Sequence, residues 1–99
     1  MKINIQYVNM PSSDSLSQII DKKLEKLHHK FNWILKAEVF IKLENGSSGE
    51  NKICEIELSA PGPRLFATGK KNDFEKAVAA TIKELEHQLK RRKHTLANH

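Results

Sequence analysis

The side chains that most often carry chemistry are few here and poorly placed for it. Five histidines and one cysteine occur in the 99 residues. His28 and His29 are adjacent, so on a helix they point about 100° apart, and His87 and His94 lie two turns apart, which suits no shared ion. Cys54 sits in the alternating stretch Ile53-Cys54-Glu55-Ile56, where a small buried hydrophobe is the better account of it. A nucleophile or an acid–base pair needs converging groups. None is visible, so no enzyme activity, metal or cofactor is expected. A single cysteine also excludes an intrachain disulfide and fits a reducing compartment.

The remaining chemistry is electrostatic. Seventeen Lys and Arg against twelve Asp and Glu give a formal charge of +5, which favours polyanionic partners without identifying one. Projection at about 100° per residue puts Phe74, Val78, Ile82, Leu85 and Leu89 on one side of a C-terminal helix. Lys76, Lys83, His87, Lys90 and His94 fall opposite, Arg91 and Lys93 widen the ridge on either side, and Glu75, Glu84 and Glu86 lie on the flanks. In an earlier helix Lys22, Lys26 and His29 share one flank, Asp21, Glu25 and His28 the other, with Lys23 and Lys30 extending the cationic edge. The candidate phosphate-binding set is therefore Lys22, Lys23, Lys26, Lys30, Lys83, Lys90, Arg91, Arg92 and Lys93. Lysines would act as flexible point charges and the arginines as bidentate donors. Any solvated helix also carries long polar side chains opposite its apolar stripe, and cations near a helix C-terminus complement its dipole. The charges alone leave both readings open.

The elements that must position these residues follow from periodicity. Ile3, Ile5 and Tyr7 alternate with Lys2, Asn4 and Gln6, a strand with one buried face. Pro11-Ser12-Ser13-Asp14 supplies a break and a capping oxygen, and Leu16, Ile19, Ile20, Leu24, Leu27 and Phe31 recur at helical spacing, predicting a helix from about 13 to 30. Val39, Ile41 and Leu43 share a face of a second strand over 38–43. Residues 45–51 form a flexible-looking loop, after which Cys54, Ile56, Leu58 and Ala60 alternate with Glu55, Glu57 and Ser59. Pro61-Gly62 fits the centre of a tight turn leading to a fourth strand with Leu65, Ala67 and Gly69 on one face. Asn72 and Glu75 have capping-box spacing for a long helix over about 73–94. The order βαβββα predicts an α+β fold, a four-stranded sheet with two helices packed on one face and a right-handed crossover between the first two strands. Residues 1–99 form one domain. The opening residues alternate instead of forming an apolar block, so neither a signal peptide nor a membrane span is expected, and the protein reads as cytoplasmic.

Several strings carry a family resemblance. They are the opening Lys2-Ile3-Asn4-Ile5, Lys26-Leu27 followed by Phe31-Asn32-Trp33-Ile34, then Asp73-Phe74-Glu75-Lys76-Ala77-Val78, Ile82-Lys83-Glu84-Leu85 and Gln88-Leu89-Lys90-Arg91-Arg92-Lys93. Together with the element order they make the chain resemble, over nearly its whole length, the ribosome hibernation-promoting factors and ribosome-associated inhibitors of the sigma-54 modulation family. The resemblance implies a stationary-phase or stress protein of bacteria that binds small-subunit rRNA in the mRNA and tRNA channel, excludes translation components and favours inactive ribosomes. It implies basic contacts at Lys23 and Lys26 in the first helix and at Arg91 and Lys93 in the second. Ending soon after helix two makes the chain resemble the short members, monomeric when free, for which ribosome dimerisation would call on a second factor.

Three departures qualify the carry-over. Glu84 stands where the family commonly has Lys, and Trp33 where it frequently has Arg, so each removes a candidate phosphate contact. Trp33 is expected to cover the edge of the core, with base stacking as the alternative. The Pro61-Gly62-Pro63 turn is unusual, and no hairpin contact is carried over. Two other functions fit the residues: a general double-stranded-RNA-binding module recognising shape, and a protein-interaction domain using the polar sheet face around Glu55, Glu57 and Ser59.

Overall fold

A computed structural model describes residues 1–45 and 49–97. The elements are β1 (Lys2–Val8), α1 (Asp14–Lys30), β2 (Lys36–Leu43), β3 (Lys52–Ser59), β4 (Leu65–Lys71) and α2 (Phe74–Ala97). The sheet order is β1-β2-β3-β4, with β1 and β2 parallel and the other neighbours antiparallel. A parallel pair needs a crossover, which α1 provides, whereas the antiparallel pairs need only short links. This is the expected α+β arrangement in βαβββα order.

Register explains which face is apolar. Ile3, Ala37, Leu58 and Leu65 align across the four strands, as do Ile5, Val39, Ile56 and Ala67, and then Tyr7, Ile41, Cys54 and Gly69. Both helices pack on these rows in one core that also holds Leu16, Ile20, Leu24 and Leu27 of α1 and Val78, Leu85 and Leu89 of α2. Leu43 leaves the pattern predicted for it. It pairs with Lys52 in the last row of β2 and is 45% exposed. Of the 45–51 loop, residues 46–48 lie outside the described residues.

The helix starts are set by side-chain oxygens. Ser13 caps α1, its Oγ accepting from the Leu16 amide at 3.2 Å, and the Tyr7 hydroxyl donates to the Ser13 carbonyl at 2.8 Å, tying β1 to that cap. The cap of α2 is Asp73, not Asn72. Its Oδ1 accepts from the Lys76 amide at 3.0 Å, so the third helical position is Lys76 and no capping box with Glu75 forms. Two small residues then let α2 sit close on β4. A Cβ at Gly69 would meet the Ala77 carbonyl oxygen and lie 2.5 Å from Thr81 Oγ1. Thr81 is fully buried, its hydroxyl within reach of the carbonyls of Ala77 (2.7 Å) and Cys54 (3.1 Å).

Helix and strand lengths decide where the cations stand. Strands β1, β2 and β4 run the same way, and each helix returns against the strand before it, so α1 and α2 run parallel with their C-terminal ends at one end of the molecule. The 24 residues of α2 span about 36 Å at 1.5 Å each, while the seven of β4 span roughly 23 Å at 3.3 Å each. The surplus is the C-terminal end of α2. Beyond Leu89, the last buried residue among those whose burial is described, Lys90, Arg91, Lys93, His94, Thr95 and Leu96 are exposed.

Candidate nucleic-acid interface

Among the elements, the excess of positive charge is greatest on α2. Helix α2 carries six Lys and Arg against three Glu, and α1 four Lys against three acids. On the sheet side four cations are paired: Lys36 with Glu38 at 2.8 Å, Lys42 with Glu55 at 2.9 Å, Arg64 with Glu57 at 2.9 Å and Lys70 with Glu44 at 2.6 Å. Among the described residues one further ion pair exists, between Lys30 of α1 and Glu86 of α2 at 2.8 Å.

The helices meet in a groove. Lys23, Lys26 and Lys30 recur at i, i+3 and i+7 on α1 and face Lys83 of α2 over a floor made by Leu27, Ala79 and Ile82. At its C-terminal end the groove opens into a depression around Phe31, walled by Lys30, Lys90, Lys93 and His94. Lys30 borders both, so six lysines line one continuous track. Their alkyl stems cover the apolar floor while the ammonium groups stay in water. Glu86 is the acid in this lining. Its carboxyl is held below the ordinary carboxylate range, chiefly by the hydrogen bond from Lys30, which outweighs the upward push of burial, with the charges of Lys30, Lys90 and His87 adding smaller downward contributions.

Three of the nine candidates stand elsewhere. Lys22 is exposed on α1 outside the groove lining. Arg91 and Arg92 border a separate depression with Leu65, Gln88 and Thr95 on the β4 side of α2. Arg92 is half-buried and already engaged, its Nη1 donating to the Pro61 carbonyl at 2.7 Å. Gly62, at φ +95°, lets the turn pass beneath this guanidinium, since a Cβ there would lie 2.9 Å from Nη1. Arg92 thus ties the β3–β4 hairpin to α2. Glu84 precedes Arg91 by two turns, lies on the same side of α2 and does not line the groove. The groove's acid is Glu86, which the flank position had not suggested as a cross-helix partner.

Aromatic packing closes the end of the groove. Trp33 is half-buried and meets Phe31 edge to face, with ring centroids 5.9 Å apart and planes at 79°, which places it over the core margin. Lys93 Nζ stands 5.9 Å from the Phe31 ring centroid, a cation–π geometry. The structure offers little for covalent chemistry. Burial pushes the Cys54 thiol up to about 11, with Glu55 adding to the rise and the Thr81 hydroxyl opposing it. Among the described residues no three His, Cys, Asp or Glu side chains gather as a metal site, and no helix is long and apolar enough to cross a membrane.

Comparison with known proteins agrees with this architecture. No curated protein matches the chain significantly. Among solved structures, a ribosomal subunit interface protein from Coxiella burnetii superposes with a TM-score of 0.84 at 22% identity, covering 95% of this chain and 99% of that one. The N-terminal domain of Protein Y from Thermus thermophilus superposes with a TM-score of 0.77 at 26% identity, covering 92% and 98%. The family model for sigma 54 modulation protein / S30EA ribosomal protein matches residues 3–97. The chain, by sequence over nearly its whole length and by a fold that sets two parallel cationic helices on one sheet face, belongs to the sigma 54 modulation protein / S30EA ribosomal protein family.

Proposed function

We propose that this protein is a cytoplasmic ribosome hibernation factor that binds small-subunit rRNA in the mRNA and tRNA channel, inhibits translation and stabilises inactive ribosomes. The observation that carries the reading is the track of Lys23, Lys26, Lys30, Lys83, Lys90 and Lys93 between the helices. Flexible ammonium groups along a groove match a line of phosphates better than they match base edges, so affinity comes from backbone contact and counterion release, and selectivity from the shape of a folded RNA. Arg91, exposed on the β4 side of α2, adds a bidentate donor, and Lys22 a peripheral charge. Arg92 contributes through the hairpin it holds. The protein acts by occupancy, with no reaction of its own. Family membership supports a ribosomal target.

The test is cosedimentation with small subunits, large subunits and assembled ribosomes, followed by competition with tRNA or mRNA on small subunits. Binding to small subunits that tRNA or mRNA displaces is expected. With about six phosphates neutralised, log affinity should fall with log salt at a slope of roughly −4 to −5. Equal affinity for a plain RNA duplex at matched salt would replace this reading with that of a general double-stranded-RNA binder. A flat salt dependence would favour a protein contact through the sheet face.

A further inference from the structure

The two ends of the groove differ in chemistry. Its N-terminal part, with Lys23, Lys26 and Lys83 around an ion pair, suits a phosphate backbone. The C-terminal depression has an aromatic floor, Phe31, and a rim of Lys30, Lys90, Lys93 and His94. The carbonyl end of α1 also lies here, and its partial negative charge disfavours a bare anion at the floor. A ligand with a flat apolar body and a negative group at its edge fits better than phosphate alone.

We infer that this depression is a subsite for one unpaired nucleotide, the base lying against Phe31 and the imidazole of His94 while its phosphate meets the ammonium groups of Lys30 and Lys90. Phe31 is 4% exposed, and the group above its ring is the exposed, flexible Lys93 side chain. Displacing that ammonium exchanges one π contact for another, since a base can stack where the cation stood. Trp33 backs Phe31 from the side and keeps the floor rigid. Such a subsite would add a preference for unpaired or bulged nucleotides to the shape recognition of the groove. The inference rests on RNA binding by the groove.

The test uses the full chain and two small probes, adenosine 5′-monophosphate and ribose 5-phosphate, with the Phe31 and His94 ring resonances followed by NMR. The nucleotide should shift both rings, while ribose 5-phosphate leaves them in place. Lys90→Gln with His94→Ala, two exposed positions, should weaken the nucleotide's effect about fivefold or more, the low end for a stacked base. Equal shifts with both probes would reduce the depression to an anion site, and silent rings would remove it altogether. Small-subunit cosedimentation separates the two claims. Ribosome binding with silent rings overturns only the subsite, whereas ring shifts without ribosome binding overturn the proposed function.

Discussion

The carboxylate of Glu86 reaches across the interhelical groove to the ammonium of Lys30 at 2.8 Å, so one of the six lysines along the track is neutralised by the helix it faces. The pair fastens α1 to α2 and lowers the positive potential where the two halves of the groove join. As both partners are partly exposed, its contribution to stability is at most about 1 kcal/mol.

Glu86→Gln should therefore strengthen small-subunit binding several-fold and steepen the salt slope by about one, with little loss of thermal stability. Unchanged affinity would mean that Lys30 does not meet the RNA. The pH dependence has a definite sign. Glu86 is held below 4.5 in the fold, so its contribution is present above the unfolded value and is lost as the pH falls through the folded one. Chemical denaturation of wild type and variant should converge as the solution is acidified.

Arg91→Glu combined with Lys93→Glu should abolish cosedimentation with small subunits while leaving the far-ultraviolet circular dichroism intact, because both side chains stand in water beyond the core. Retained binding would move the interface away from the C-terminal part of α2.

Arg92→Ala should act differently from its neighbours. It removes the hydrogen bond to the Pro61 carbonyl, at a cost of about 0.5–1.5 kcal/mol, and should speed amide exchange in the β3–β4 hairpin. Ribosome affinity should fall less than in Lys90→Ala. A larger fall in Arg92→Ala, with the hairpin unchanged, would make it a direct contact.

Gly69→Ala should destabilise the protein by about 1–3 kcal/mol, since the added methyl would meet the Ala77 carbonyl and Thr81 Oγ1. A denaturant midpoint equal to that of the wild type would show that α2 can lift from β4 without loss.

Cys54 should resist alkylation in the native state at pH 8 and react on unfolding, because its thiol is pushed up to about 11 and only the thiolate attacks. The sign for stability follows. The contribution is full below pH 9, the ordinary value, and is lost between 9 and about 11. Cys54→Ala should therefore lose less stability than the wild type over that window.

The elements were legible from the sequence because each is written locally. Ile3, Ile5 and Tyr7 alternate, Ser13 precedes an apolar stripe, and Pro61-Gly62 marks a turn. The nine cations were also visible, yet their division was not. Lys23 and Lys83 meet because two distant helices pack in parallel, and Arg92 is claimed by a carbonyl 31 residues away. Helical projection gives angles within one helix and says nothing of the neighbour. One local error has a local cause: Asp73 outcompetes Asn72 because the helix begins one residue later than its cap spacing implied.

The reach of α2 past the end of the sheet separates two kinds of selection. Apart from Arg92, which holds the β3–β4 hairpin through the Pro61 carbonyl, the exposed residues from Lys90 to Leu96 answer mainly to whatever they bind, because they contribute no buried side chain to the core. Substitutions there can track changes in a target over evolutionary time while the folding of the domain is left alone, and the same segment can be rewritten by design to alter affinity without re-engineering the core.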